Sequence, residues 1–452
     1  MKQSIAEPFR IDDLGFKPCF SAPSLPTFVG LVIGWVLTVG KRTVSQVILT
    51  MGLQESRHFA SIYRFLGKGR WQIDLVSCLL FKLLVKCLVP LGSVIQVVLD
   101  DTLNKHRGPC ICGAGWQHDG SASHPGQKTG YGLCFVIIGL AVRLPGISDR
   151  VFCLPFGARL WWPRKAKVRP TGPNKTKPKL AVELITLTRS WLEDGQIMRV
   201  VHDSAYCCET VIKGRPKDVH ITGRIRKDSA LFDIPEIPMV RGRGRPRKKG
   251  HRLPTPADMF ADRSLAWTEI KVICYGKERT VLVYQLSALW YNSAGEEPLN
   301  LVLSRDPTGK CQDTVFFDTD PLATAGEIIE RYAARWSIEV TNRETKHLLG
   351  AADPQCRRED SVIRAPMFAY WAYSFVILWF VEQFHTAKDL VADPPPWYRR
   401  KINYTFSDML AAARRSHFSS RIFEEARDSH KLPNNRKSRC PHGADLTQSA
   451  KL

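Results

Sequence analysis

The sequence lacks the features that would assign it to several special classes of protein. Residues 1–16 carry acids and contain no apolar core segment, so a secretory signal is not expected and the protein should stay in the cytosol. The 13 cysteines form no Cys-x-x-Cys pair and are irregularly spaced, which argues against a disulfide scaffold and favours reduced thiols. Two apolar stretches, 25–40 and 365–381, are glycine-interrupted or short for a bilayer, and we interpret both as buried helices.

Acidic residues are also scarce relative to basic ones. The chain of 452 residues has 43 Asp and Glu against 65 Lys and Arg, which gives a net charge of +22. Such an excess is typical of proteins with an anionic partner, and nucleic acid is the first expectation. Hydrophobic residues at 44% and charged residues at 24% exclude a chain that is disordered throughout.

The order of apolar runs predicts an α/β fold. Short buried strands are expected at 94–100, 133–142 and 150–154, a helix at 180–192, and further strands at 197–203 and 219–226. Strand, strand, strand, helix, strand, strand is the RNase H-like order. The first and fourth of these strands end in the acids Asp100 and Asp203.

This pattern divides the chain into five predicted regions around that core. Helical periodicity before the first strand predicts an N-terminal helical domain, to which we assign a DNA-binding role, and the strand-rich stretch after the core predicts an all-β insertion. A strong helix then begins near Ala325, and the polar, basic chain beyond Ser416 predicts a flexible tail. The predicted boundaries are 1–90 (helical domain), 91–227 (first part of the core), 228–322 (β-rich insertion), 323–390 (second part of the core) and 391–452 (C-terminal helix and tail).

Two basic segments are candidate DNA contacts. Residues 159–179 contain eight Lys and Arg, several prolines and no acid, so we expect a loop that cannot pack and is free to lie on phosphates. Lys165 and Lys167 are the residues we single out there. Within 213–252, the sequence Arg-Gly-Arg-Gly-Arg-Pro-Arg resembles an AT-hook that enters an A·T-rich minor groove. The alternative for any such run is a solvated loop. The candidate arginines of the second segment are Arg241, Arg243, Arg245 and Arg247.

One helix face carries a distinctive set of polar residues. Tyr332, Arg335, Glu339 and Lys346 fall within roughly 60° of one another on an uninterrupted predicted helix. In the plainer interpretation they form surface salt bridges at i,i+4 and i,i+7 spacing.

The spacing Tyr-x2-Arg-x3-Glu-x6-Lys resembles the signature of a group of bacterial insertion-sequence transposases in the DDE superfamily. Two further segments, Val98-Leu-Asp100-Asp101-Thr102 and Val200-Val-His-Asp203-Ser-Ala-Tyr206, resemble the first and second aspartate motifs of that group. The resemblance covers about residues 25–385. It implies a catalytic set of Asp100, Asp203 and Glu339 that binds two Mg²⁺ or Mn²⁺ ions.

The chemistry agrees with that set. Cleaving a phosphodiester and joining a 3′-OH both pass through a crowded anionic phosphorus centre, which two divalent ions can stabilise through carboxylate ligands. Asp101 remains an alternative to Asp100, since adjacent strand residues point to opposite faces. Glu344 is a weaker competitor of Glu339. Arg335, Lys346 and Tyr332 are expected to contact the transposon end.

The resemblance therefore implies a transposase that binds terminal inverted repeats and moves its element by cut-and-paste transposition. The implied partners are double-stranded DNA at the element ends and at the target, with a homodimer on paired ends, no membrane, and a place on the bacterial nucleoid. Two alternatives stay open, namely an inactive DNA-binding protein on a transposase scaffold and an RNase H-like nuclease.

Overall fold

A ten-stranded mixed sheet organises the fold. The computed structural model describes residues 9, 11, 14–56, 58–120, 128–235, 247–395, 397 and 402–429. The strands are β1 (Ile95–Lys105), β2 (Gly115–His118), β3 (Thr129–Leu144), β4 (Ser148–Trp161), β5 (Met198–His202), β6 (Val219–Ile225), β7 (Thr268–Cys274), β8 (Lys277–Leu289), β9 (Pro298–Arg305) and β10 (Thr314–Asp318).

Helices surround this sheet and connect its strands. They are α1 (Leu25–Leu37), α2 (Val44–Thr50), α3 (Leu53–Ser56), α4 (Phe59–Lys68), α5 (Ile73–Leu88), α6 (Lys177–Arg189), α7 (Glu209–Gly214), α8 (Pro256–Ala261), α9 (Tyr291–Ala294), α10 (Ala325–Ala334), α11 (Trp336–Leu349), α12 (Glu359–Glu382), α13 (Phe384–Ala387) and α14 (Phe406–Ser429).

The sheet order is β2-β3-β1-β5-β6-β10-β9-β8-β7, and β4 pairs with β3 on the edge that β2 also uses. β1 is antiparallel to β3 and parallel to β5, and β5 is parallel to β6. The β1–β5 register pairs Leu99 with His202, so the next residues, Asp100 and Asp203, stand side by side. Both predicted strand-end acids thus lie near the middle of the sheet.

The predicted all-β insertion does not form a separate β unit. Strands β7 to β10 extend the central sheet, because β10 pairs antiparallel with β6 and joins the two halves edge to edge. The short helices α8 and α9 also lie in this region. Continuous backbone pairing leaves no unpaired edge between the two sets of strands, and separate β units would expose two.

The helices expected at the N-terminus are present, but they share the core of the sheet. Phe28 and Trp35 of α1 contact Phe368 of α12, and the Trp35 indole N–H donates to the Leu349 carbonyl. One continuous cluster of buried side chains includes α1, α4, α5, the central strands and α12. The N-terminal helices therefore do not close a core of their own.

Both apolar stretches are buried helices, as predicted. Helix α12 is long and apolar enough to cross a membrane, but 94% of its apolar window is buried inside the protein. The Trp371 indole N–H and the Ser374 hydroxyl donate to carbonyls of β4, which holds α12 against the sheet. Helix α14 continues to Ser429, so the basic tail predicted from Ser416 begins later than expected; residues 430–452 lie outside the described residues.

Gly132 provides a test of the close packing between β1 and β3. A methyl group at this position would collide with the backbone carbonyl of Asn104, which cannot move without breaking the ladder. We expect Gly132→Ala to lower the free energy of unfolding by about 1–3 kcal/mol in urea titrations.

Gly157 in β4 is the matched control, because its added methyl would meet its nearest neighbour, Ile138, at 3.4 Å. Gly157→Ala should change stability by less than about 1 kcal/mol. Equal effects of the two substitutions would contradict the β1–β3 register.

Candidate active site

Asp100 lies on β1 and faces the helical segment that crosses the sheet. Its side chain is 16% exposed, and one of its oxygens accepts a hydrogen bond from the Asp101 backbone N–H at 2.8 Å. Burial, followed by the nearby Asp101 and Asp203 carboxylates, raises the pKa of Asp100 to about 7. The buried position therefore disfavours a negative charge unless a cation is close.

Asp101 points away from this position, as the alternation of a strand requires. Its carboxylate accepts from Lys177 Nζ at 2.6 Å and from the Tyr206 hydroxyl at 2.9 Å, and the Cys134 thiol donates to it at 3.4 Å. Both oxygens of Asp101 are thus used by neighbouring side chains. The structure places Asp100, and not Asp101, toward the polar helix.

Asp203 follows β5 and precedes a short 3-10 helix, Ser204–Tyr206. It is only partly buried, and it lies near enough to Asp100 and to Tyr332 to raise the pKa of both groups. Asp100 in the middle of β1 stands beside Asp203 just after β5, and these side-by-side positions explain the proximity.

The predicted uninterrupted helix is divided at Arg335. Helix α10 ends at Ala334, α11 begins at Trp336, and the Arg335 N–H donates to the Tyr332 carbonyl in a tighter i−3 turn. Helix α10 packs on β5, β6, β7 and β10, whereas α11 packs on β1 and β4. The division lets the segment follow the twisted sheet, and it places Arg335 above the centre of that sheet.

Arg335 connects two of the candidate carboxylates. Its guanidinium lies 2.7 Å from a Glu339 oxygen and 3.8 Å from an Asp100 oxygen. The side chain is largely buried, and its Nε has no hydrogen-bond partner within the described part of the chain. The Tyr332 ring lies 5.7 Å from the same guanidinium. The arrangement is therefore a partly buried cluster of carboxylates around one largely buried cation, and not a fully exposed salt-bridge row.

Lys346 lies on the same side of α11 but contacts the backbone. Its ammonium donates to the Leu103 carbonyl of β1 at 2.9 Å. Burial lowers the pKa of Lys346 to about 8, against the opposing effect of nearby acids such as Asp119. Glu344 lies elsewhere, because its carboxylate accepts from Arg150 at 3.1 Å and from the Tyr373 hydroxyl at 2.8 Å.

Two contacts hold the divided helix in place. In α10, Arg331 lies 3.3 Å from the fully buried Asp318, which also accepts from the Thr222 hydroxyl at 2.6 Å. In α11, the Thr341 hydroxyl donates to the Cys153 carbonyl of β4 at 2.8 Å. Each half of the helix is thus fixed to a different part of the sheet, with Arg335 between them.

The basic segment 159–179 is more ordered than expected. Arg159 forms a paired contact with Asp74 at 2.8 and 2.9 Å, and Lys177 binds Asp101. The prediction that this segment cannot pack was wrong, because its ends are held by these acids. Lys165 and Lys167 are exposed.

The second basic segment is only partly described. Arg247 is exposed, while the Lys249 ammonium lies 3.9 Å from the centre of the Phe232 ring. Arg241, Arg243 and Arg245 of the AT-hook-like sequence lie outside the described residues.

The donor chemistry of the cluster fits a divalent cation. Asp100, Asp203 and Glu339 offer only carboxylate oxygens, which are the ligands that Mg²⁺ and Mn²⁺ prefer. Among the described residues, no three His, Cys, Asp or Glu side chains converge closely enough to hold a metal ion. The Arg335 guanidinium lies between Asp100 and Glu339 and supplies the positive charge there.

Sequence reasoning missed a pocket beside Arg335. The turn between β7 and β8 places Tyr275, which has a φ of 56° and a side chain 59% exposed, near Arg335. Trp336 is 46% exposed and lines the same pocket of about 220 Å³. A Tyr-Gly turn at Tyr275 was the available signal, but nothing in the sequence relates it to Arg335.

These observations define an α/β protein with acids on two adjoining parallel strand segments, Asp100 within β1 and Asp203 just after β5, and a third acid on a crossing helix. The family described as DDE superfamily endonuclease matches residues 16–287, and the chain belongs to that family. The matched range includes Asp100 and Asp203, while Glu339 lies beyond it.

One solved structure similar to this chain is a cryo-EM structure of the piggyBac transposase synaptic complex with hairpin DNA. The identity is 12% and the TM-score 0.37, over 95% of this chain and 79% of the other. No curated protein matches the chain.

The depressed pKa of Lys346 predicts a pH-dependent stability. The folded protein releases this proton near pH 8, whereas the unfolded chain releases it near 10.5, so stability should rise with pH between these values. Lys346→Met removes the ionisable group. In urea unfolding, the stability of the wild type relative to this variant should increase by on the order of 2–3 kcal/mol from pH 7.5 to 10.5. A constant difference would show that Lys346 is solvated.

Proposed function

We propose that this protein is a metal-dependent transposase of the bacterial insertion-sequence type, which cleaves DNA at its element's terminal inverted repeats and joins the freed 3′ ends to a target. The observation that carries the proposal is the cluster in which Arg335 lies against Glu339 and Asp100, with Asp203 beside Asp100. Buried like charges are costly, so such a set suggests a site built for cations and phosphate.

The strand order supports this proposal. β4, β3, β1, β5 and β6 follow one another with β1, β5 and β6 parallel, an order that supports an RNase H-like core. In an open sheet of this kind, functional acids at the carboxyl ends of neighbouring parallel strands meet at one edge of the sheet. A helix that crosses this edge then adds Glu339.

The three carboxylates would hold the metal ions. Bound Mg²⁺ or Mn²⁺ would activate the attacking oxygen and stabilise the leaving oxygen of the phosphodiester. Asp100 and Asp203 would provide ligands from rigid strand ends, and Glu339 would complete the set from α11. The surrounding protein keeps these groups in place, since Asp100 is hydrogen-bonded by the next backbone N–H.

Arg335 would have a second role once DNA is present. Its guanidinium balances the carboxylates in the free protein, and it matches the geometry of a phosphate equally well. Tyr332 lies beside it and could contact sugar or phosphate. Lys346 would act mainly by supporting β1 through the Leu103 carbonyl.

The partners follow from charge and chemistry. Exposed cations, including Lys165, Lys167 and Arg247, together with the AT-hook-like arginines, suit the backbone of double-stranded DNA at the element ends and the target. A homodimer on paired ends and a place on the bacterial nucleoid accompany this proposal.

Amide substitutions test the catalytic assignment. Asp100→Asn, Asp203→Asn and Glu339→Gln should each reduce cleavage of a duplex bearing the flanking inverted repeats by at least about 100-fold in Mg²⁺. Binding of that duplex should change little, because phosphate contacts dominate the affinity.

Glu344→Gln is the matched control on the same helix, since its carboxylate faces Arg150 and Tyr373. It should cleave at the wild-type rate when folded. Asp101→Asn should retain more cleavage than Asp100→Asn. Normal cleavage by Glu339→Gln would refute the assignment, and absence of cleavage by the wild type would favour an inactive scaffold.

Arg335 and a metal ion should compete for Glu339. Without the guanidinium, Glu339 and Asp100 lose the cation that competes with a metal ion, so their affinity for a divalent ion should rise. We expect Arg335→Gln to bind Mn²⁺ several-fold more tightly than the wild type in calorimetric titrations without DNA. The double variant Arg335→Gln/Glu339→Gln should lose this gain. Equal or weaker binding by Arg335→Gln would be inconsistent with the proposed metal position.

A further inference from the structure

A continuous groove lies beyond the far end of β1. Two neighbouring depressions of about 850 and 340 Å³ share Gln355, Cys356 and Arg357, so they form one surface. The loop between α11 and α12 forms the middle of this surface. Helix α4 borders it on one side, and the end of β1 with the following loop borders it on the other.

The groove concentrates positive charge that the protein does not neutralise. All seven lysines and arginines that line it are exposed, and in the described part of the chain six of them form no ion pair. This contrasts with Arg159 and Lys177, which are held by acids. The six residues, which we call the groove cations, are Lys41, Arg64, Lys68, Arg107, Arg357 and Arg358.

Acids along the groove are already engaged. Asp353 accepts from the Arg42 backbone N–H at 2.8 Å, and the neighbouring Asp119 lies 2.6 Å from the ammonium of Lys105. Unbalanced like charges repel one another, so retaining them along one groove favours an anionic ligand that spans several of them. A long polyanion satisfies this requirement better than a single phosphate.

Exposed aromatic rings border the same surface. Trp116 of β2 is 66% exposed, and its ring lies edge-on to Tyr131 at 5.7 Å between centroids. Tyr63 of α4 is 42% exposed at the other depression. Cations interleaved with exposed rings are typical of nucleic-acid surfaces, where the rings contact sugars or bases.

The groove has a defined distance from the carboxylates. Lys105, at its edge, is five residues beyond Asp100 on β1, which corresponds to about 17 Å along an extended strand. The rise of duplex DNA is about 3.4 Å per base pair, so a duplex that runs along β1 from Asp100 would cover about five base pairs before it reaches this edge.

We propose that the groove cations bind the sugar-phosphate backbone of double-stranded DNA about five base pairs from the phosphate at the carboxylate cluster. This inference rests on the proposed function and deepens it, because it identifies a surface that holds the flank of the substrate. The contacts are to phosphates, so they position the duplex without regard to sequence.

A salt-dependence experiment tests the groove. The quadruple variant Arg64→Ala/Lys68→Ala/Arg357→Ala/Arg358→Ala and the wild type are titrated with a fluorescent 20-base-pair duplex between 50 and 300 mM KCl without divalent metal. Each lost phosphate contact should reduce the slope of log K against log[salt] by about 0.9, so the variant's slope should be smaller by about 3 to 4. Its affinity at 100 mM KCl should fall at least tenfold.

Lys82→Ala/Lys86→Ala on α5 is the matched control, because these exposed lysines have the i,i+4 spacing of Arg64 and Lys68 but do not line the groove. The salt slope of this control should change less than that of the double variant Arg64→Ala/Lys68→Ala. Equal slopes for the quadruple variant and the wild type, with matching thermal unfolding, would overturn the groove assignment.

Two further measurements separate the outcomes. A duplex that ends four base pairs from the cleavage site should bind the quadruple variant and the wild type equally, since it cannot reach the groove. Binding of poly-glutamate by the wild type and not by the quadruple variant, with unchanged DNA slopes, would show an acidic protein ligand instead. That result would overturn the proposal. Failure of the wild type to cleave DNA would refute the proposed function, but it would leave the salt-slope result unaffected.

Discussion

Burial of the Asp100 carboxylate near the centre of the sheet is the constraint on which the rest of the site depends. Parallel pairing of β1 and β5 sets Asp100 beside Asp203, and burial makes this arrangement costly without a cation. Arg335 supplies that charge, and it does so from a residue at which the crossing helix is divided. The pairing of β1 with β5, the division of the helix at Arg335 and the charge balance of the site therefore depend on one another.

Contacts in the rest of the structure fix the position of Arg335. Arg331 fixes α10 to the buried Asp318, and Thr341 fixes α11 to β4, so the two halves of the helix are anchored on opposite sides of Arg335. Beneath them, α12 packs its apolar length against β4, and the N-terminal helices cover α12 in turn. Rigid elements on every side are what a site with closely spaced charges requires. The groove cations, by contrast, lie on exposed surface where no such balance is built in.

Periodicity and strand-end acids predicted much of the core before any tertiary information. The first strand, the helix at 180–192 and the strands ending at Asp203 and Arg226 correspond to β1, α6, β5 and β6 within a few residues. Boundaries were less accurate, since β1 continues to Lys105 and β4 begins before its apolar run. The sheet's continuation through β7 to β10 was not predictable, because strand pairing between distant segments leaves no local pattern.

The amino-acid sequence alone predicts the chemical groups of the site and their local spacing. Asp100 ends one apolar run, Asp203 ends another, and Arg335 lies one helical turn before Glu339. These follow from short-range periodicity, which is a property of neighbouring residues. Tertiary packing sets which acid faces the site, because this depends on which helix covers each face of β1. Asp100 faces Arg335, while Asp101 faces Lys177 and Tyr206. The same packing brought Arg357 and Arg358 beside α4, since residues almost 300 positions apart meet through packing and not through sequence.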